Sequence, residues 1–184
     1  MTAESIMTSR VITLRPDDKV LDALLIMHRA HIRNLPVVNA DGCFVGLFGV
    51  RRLGRLLLPH AARDLDRYRI SDLSFLPDET DQLAARWREI ASRPVSEFLE
   101  KESKLLFCTP ETSFPQLLEL LEKSKDSSLP VIVVTGKKRK LAGMVSSWDV
   151  MEGFIIKLLA GTAVPEAAGK SGASAATPST PGQD

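Results

Sequence analysis

Residues 11–53 read VITLRPDDKVLDALLIMHRAHIRNLPVVNADGCFVGLFGVRRL, and residues 104–150 read KLLFCTPETSFPQLLELLEKSKDSSLPVIVVTGKKRKLAGMVSSWDV. The second stretch repeats the plan of the first. Pro16 and Pro36 stand 20 residues apart, as do Pro110 and Pro130, which sets a period of about 94 residues. Between each pair of prolines, apolar residues recur at helical spacing: Val20, Leu24 and Met27 in one copy, and Phe114, Leu117, Leu118 and Leu121 in the other. Each copy continues with Leu-Pro-Val, a short apolar run, a turn and a second run near a glycine, Gly46 or Gly143. The first turn, NADGC, carries the Asp-Gly pair of a compact hairpin, while TGKKRK is longer. Each copy therefore reads strand, helix, strand, hairpin, strand, helix. A sheet with one apolar face, in a unit this small, needs a second layer to cover it. The expected fold is α/β (α+β), with tandem β-α-β-β-α units packed sheet to sheet about a pseudo-twofold axis.

The repeats assign residues 1–53 and 95–159 to two units. Residues 54–94 form an unusually long connector in which RDLDRYRISDL and ETDQLAARWREIASR read as helical, with Leu83 and Trp87 available to dock one side. From residue 160 the chain is rich in Ala, Gly, Ser, Thr and Pro and has no aromatic residue, the composition of a disordered tail.

The totals exclude several classes of function. Of the 184 residues, 24 are Lys or Arg and 23 are Asp or Glu, so no global field draws the protein to nucleic acid or to an anionic membrane. Cys43 and Cys108 make neither a disulfide framework nor a metal cluster, and they read as small core residues. MTAESIMTSR lacks an apolar signal region and no stretch is long enough to span a membrane, so a reducing cytoplasm is the default. There is no Gly-rich phosphate loop and no Ser-His or Cys-His pairing, and the three histidines all fall in the first 60 residues. An enzyme is not expected, and no cofactor is required. His28 and His31 lie three apart on a helical stretch but have no third metal ligand nearby. KKRK at 137–140 reads as a solvated hairpin tip, which makes nucleic acid an unlikely partner. RRLGRLLLPHAARDLDRYR sets six arginines beside three leucines, but Pro59 and its acids favour a packing contact over a membrane face.

One short motif invites a sharper reading. In GMVSSWDV, residues 143–150, Ser146 is followed three places later by Asp149. The simple reading is a helix start: hydroxyl and carboxylate oxygens accept the orphan N–H groups of the first turn, and an acid there suits the helix dipole. The alternative is a ligand grip. A carboxylate accepts from two vicinal hydroxyls, and a helix N-terminus attracts an anion.

Taken together, SIMTSRVITLRPDDKVLDAL, RNLPVVNADGCFVGLFGV, SLPVIVV and LAGMVSSWDV resemble the CBS domain (named for cystathionine β-synthase), which occurs as tandem pairs called Bateman modules. The resemblance implies β-α-β-β-α units paired through their sheets, with two clefts between the repeats. Many members bind AMP, ADP, ATP or S-adenosylmethionine there and regulate a partner without doing chemistry themselves. The family signature is a glycine-ended strand followed by Ser/Thr-x-x-Asp, which the second repeat matches with Gly143, Ser146 and Asp149. The first repeat departs from it, having Gly49 where the hydroxyl should stand and Arg52 where the aspartate should. Arginine cannot accept a hydrogen bond, so one intact and one degenerate cleft are expected.

By the same resemblance, Thr13 should serve the intact cleft from the first repeat's opening strand, and its counterpart Phe107 weakens the other. Arg33 and Asn34, just before Leu-Pro-Val, are expected to face ligand, with Arg33 a candidate phosphate contact. Val11, Ile12, Met144 and Val145 are candidates to flank an adenine ring. The expected protein is a stand-alone sensor of an adenosine-containing ligand, a homodimer through its helices, acting on an unknown regulated partner. The competing expectation is a ligand-free dimerisation or docking module in which Ser146 and Asp149 only cap a helix.

Overall fold

The computed structural model describes residues 1–57, 80–124 and 128–161. The tail was expected from residue 160, but residues 160 and 161 still belong to the last helix; the rest of that tail and the expected helix at RDLDRYRISDL lie outside the described residues.

The first repeat contains α2 (Val20–Ala30), β1 (Asn34–Val38), β2 (Phe44–Gly49) and α3 (Val50–Leu57), preceded by a single turn of helix, α1 (Ala3–Ile6). The connector closes with α4 (Thr80–Ala91), where ETDQLAARWREIASR was expected to be helical. Two short 3-10 turns, Val95–Phe98 and Glu102–Lys104, lead into β3 (Leu106–Cys108), α5 (Phe114–Lys123), β4 (Val131–Thr135), β5 (Lys140–Val145) and α6 (Ser147–Gly161). β1 and β2 pair antiparallel with Leu35 opposite Phe48. The second sheet runs β3-β4-β5, with β3 parallel and β5 antiparallel to β4.

The two sheets differ at their first strand. VITL, expected to be a strand, supplies only a bridge at Leu14, whose amide donates to Pro36 O and whose carbonyl accepts from Val38 N, both at 2.9 Å. The difference follows from what each segment packs against. In LLFC, Leu105 and Phe107 join the layer between the sheets while Leu106 and Cys108 join the core beneath. Both faces of β3 are therefore anchored. In the first repeat Leu14 is buried, but Ile12 and Thr13 are exposed, so nothing holds a longer strand in place.

The hairpins follow their turn chemistry. Asn39 Oδ1 accepts from the amides of Asp41 and Cys43 at 3.0 and 2.9 Å, and Gly42 takes φ 77°, a left-handed conformation that glycine reaches without strain. The longer turn needs two left-handed residues, Gly136 and Arg139.

Three apolar clusters build the core. One lies under the first sheet around Val20, Ala23, Met27, Leu35 and Phe48, with Trp87 half-buried against it. A second lies under the second sheet around Leu117, Val131, Val133 and Val145. Leu118, expected on the buried stripe of α5, is exposed. The third joins the sheets: Leu47 meets Leu105, Leu129, Ile132 and Val134, and Phe44 meets Phe107 edge-on at 5.6 Å between ring centroids. Of the two cysteines, Cys108 is buried, and burial pushes its thiol above the ordinary range despite an opposing hydrogen bond with Thr112.

Each repeat borrows its leading segment from the other side of the molecule. Residues 1–8, which the sequence division placed in the first unit, pack on the second: Ala3 N donates to Thr112 O at 2.8 Å, Phe114 N to Met1 O at 3.1 Å, and Thr8 and Met144 exchange backbone bonds. Ala3 is 0% exposed within the second core. Val95 and Phe98 complete the first core in the same way, with Val95 N donating to Asp18 O at 2.8 Å. Ala3→Asp should therefore cost about 3 kcal/mol, the scale for an unpaired charge put into an apolar site. Denaturant melts give the loss. Hydrogen exchange should show β3, β4 and β5 opening before β1 and β2, although the substituted residue precedes the first repeat in sequence.

Candidate functional site

Ser146 follows β5 and caps α6. Its amide and its hydroxyl both donate to Asp149 Oδ2 at 2.6 Å, and the Asp149 amide donates back to Ser146 Oγ at 3.2 Å. This is a reciprocal capping box, built like the Ser113–Gln116 pair that starts α5. The simple reading of Ser-x-x-Asp is thus realised, with one difference. Asp149 Oδ1 is outside the box and, among the described residues, receives only Thr8 Oγ1, at 3.5 Å from the opposite wall of a cleft.

That cleft has a volume of about 660 Å³, within the range of small-molecule sites. Both repeats line it: the segment from Thr8 to Ile12 without Ser9, the end of α2 with His31, Arg33 and Asn34, the entry to β4 from Ser128 to Pro130, Met144, and the start of α6. Among its described lining residues Asp149 is the only carboxylate, while Arg10 and Arg33 bring two cations.

Four of the six residues expected at the site line this cleft: Arg33, Asn34, Ser146 and Asp149. Thr13 does not. It lines a separate depression with Ser9, Val11 and Arg15 on one side and Lys140 on the other. The chain between Thr8 and Arg15 alternates, with 8, 10 and 12 turned to the Asp149 cleft and 9, 13 and 15 to the neighbouring one; Val11 borders both. A reading displaced by one residue moves a side chain to the opposite face. Gly143 does not line the cleft either. A Cβ there would stand 2.8 Å from both Thr8 O and Met7 Sδ, so this glycine lets residues 7 and 8 lie along β5.

Asn34 lines the cleft while holding its floor together, its Nδ2 donating to Ser128 O at 3.0 Å. Of the apolar candidates, Val11, Ile12 and Met144 line the cleft, whereas Val145 is wholly buried in the second core. The sequence reading did not expect Thr8, Arg10, Ser128 or Trp148 here, and it weighed His31 only as a metal ligand. Trp148 is 72% exposed at the cleft wall. The even-numbered alternation of Thr8, Arg10 and Ile12 was the available signal, but its phase is fixed by the Thr8–Met144 and Leu14–Val37 bridges.

The equivalent place in the first repeat is built differently. Arg51 Nη1 donates to Ser128 Oγ at 3.0 Å, and Arg52 Nε is buried with no hydrogen-bond partner among the described residues. A Cβ on Gly49 would stand 2.8 Å from Asn34 Oδ1, so a serine there collides with the residue that bridges to Ser128. Phe107, the counterpart of Thr13, packs against Phe44 and lies 4.6 Å beneath the Arg139 guanidinium. Among the described residues no group of three or more His, Cys, Asp and Glu is placed to hold a metal ion, and no helix is long and apolar enough to cross a membrane.

A cleft between paired α/β repeats, walled by a capped helix start, defines a class of two-repeat module. Residues 3–59 and 88–155, more than half of the chain, match the CBS domain, and the protein belongs to that family. Inosine-5'-monophosphate dehydrogenase from Aquifex aeolicus is 27% identical over 151 residues, covering 82% of this chain and 24% of the enzyme. The chain thus spans about a quarter of that relative's length. The structure of CBSX2 in complex with AMP covers 85% of this chain and 98% of its own at 18% identity, with a TM-score of 0.61. CBSX2 is a CBS-pair protein from Arabidopsis thaliana. A CBS-domain protein from Agrobacterium tumefaciens is 22% identical, covering 83% of this chain and 92% of its own, with a TM-score of 0.57. At such identities the likeness is one of fold.

Two substitutions separate the structural parts of this site. Asp149→Ala removes the reciprocal cap and should cost about 1 kcal/mol in a denaturant melt. Gly143→Ala forces the chain off β5 and should cost about 1–3 kcal/mol, the scale for overpacking.

Proposed function

We propose that this protein is a regulatory module that binds an adenine nucleotide in the Asp149 cleft and passes occupancy to a partner by changing how its repeats sit together. The observation that carries the reading is that one acid and two arginines, drawn from both repeats, face a single cleft of nucleotide size. Asp149 Oδ1 is placed to accept from a ribose hydroxyl, since Oδ2 is already committed to the cap. Arg10 and Arg33 supply cations for phosphate, and Val11, Ile12 and Met144 supply an apolar wall for the base. The AMP complex of CBSX2 adds support from a protein of the same fold. S-adenosylmethionine, a sulfonium cation without phosphate, suits two arginines less well. A ligand that touches both repeats favours the arrangement in which its contacts are made, and that preference is the signal.

The reading includes a cytoplasmic homodimer. Trp148, Met151, Phe154 and Ile155 are exposed along α6, an apolar surface of the kind that helices bury on association. The same surface and the completed capping box favour the second reading, a ligand-free docking module.

Calorimetric titration with AMP, ADP, ATP and S-adenosylmethionine separates the two. The proposal expects saturable binding near one nucleotide per chain, with Arg33→Ala and Arg10→Ala each weakening it about tenfold, the scale of a lost charge-assisted hydrogen bond. Absence of heat with every ligand, and an unchanged melting temperature, would leave the docking module standing.

A further inference from the structure

His31 ends α2 in the left-handed region, at φ 54° and ψ 34°. A helix end of this shape is ordinarily glycine, because a Cβ there crowds the neighbouring carbonyl. The turn is otherwise well made: the His31 amide donates to the carbonyls of Met27 and His28, and Ile32 N donates to Met27 O at 3.1 Å. An imidazole therefore stands where the backbone alone asks for glycine.

Its side chain contributes little to the fold. His31 is exposed, and its ring lies 6.5 Å between centroids from the ring of His28. Among the described residues no side-chain hydrogen bond holds it. His31 nevertheless lines the cleft that contains Arg10, Arg33 and Asp149. A strained conformation kept at a cleft wall, without a structural return, indicates use of the side chain.

We propose that His31 is a phosphate-recognition residue of this cleft, acting with Arg10 and Arg33 on the phosphate end of the nucleotide. The inference rests on the nucleotide reading above and names one of its determinants. Neutral imidazole donates one N–H and imidazolium donates two, so the ring serves an anion in either state. His31 thereby trades conformational ease for affinity.

That trade separates the proposal from a structural role. His31→Gly relieves the left-handed strain and should raise the melting temperature by about 2–4 °C. The same substitution should weaken AMP and ATP about tenfold while leaving adenosine binding unchanged, since adenosine has no phosphate to lose. His31→Asn tolerates the left-handed region without a cationic form and should also bind AMP less well. His28→Gln should match the wild type. If the wild-type protein binds AMP and His31→Gly binds it equally well, or loses adenosine to the same degree, His31 is not a phosphate ligand and the nucleotide reading survives. Failure of the wild-type protein to bind any of the three ligands overturns both.

Discussion

Neither sheet is large enough to be stable alone, and the layer between them is what the rest of the molecule depends on. Two strands in one repeat and three in the other leave an apolar face that water would otherwise wet. Leu47, Ile132, Val134 and the Phe44–Phe107 pair close that face. Once the sheets are back to back, the helices lie outside and the strand ends and helix starts of the two repeats are brought edge to edge. The cleft is a geometric by-product of this packing. It opens where the chain enters β1 and β4, where side chains leave the sheet layer and have no third element to cover them.

How much of this was legible depended on periodicity. The helices, the hairpins and the doubled plan were visible because proline spacing and apolar patterns are properties of the sequence itself. Arg33, Asn34, Ser146 and Asp149 were found at the cleft because each sits at a fixed offset from a recognisable punctuation, Leu-Pro-Val or the start of α6. Thr13 and Gly143 were misplaced for a different reason. Both depend on contacts between residues far apart in the chain: the Thr8–Met144 and Leu14–Val37 bridges set the phase of residues 8–15, and Gly143 answers to the backbone of Thr8. No local pattern carries that information. Trp148 carried no signal of its place in the sequence, and only the fold shows that it is exposed.

The two repeats share a plan but have diverged in chemistry. In the second, Ser146 and Asp149 cap a helix and leave one carboxylate oxygen toward the cleft. The capping box needs only one of the two carboxylate oxygens. In the first, glycine and arginine take those positions, Asn34 fills the space a hydroxyl would need, and aromatic packing takes the place of Thr13's counterpart. The pseudo-symmetry of the fold thus carries a polar, open cleft on one side and a tightened, cation-bearing contact on the other.

The crossed exchange of leading segments bears on how the chain folds. Ala3, Ile6 and Met7 are synthesised well before their partners around Thr112, Leu117 and Val145. The core of the second repeat thus closes a loop that spans most of the chain, and contacts so distant in sequence form slowly. Until they form, Ala3, Ile6 and Met7 keep their apolar side chains uncovered, and the second repeat lacks part of its own interior. Completion of the fold is set by the meeting of residues 1–8 with the second repeat.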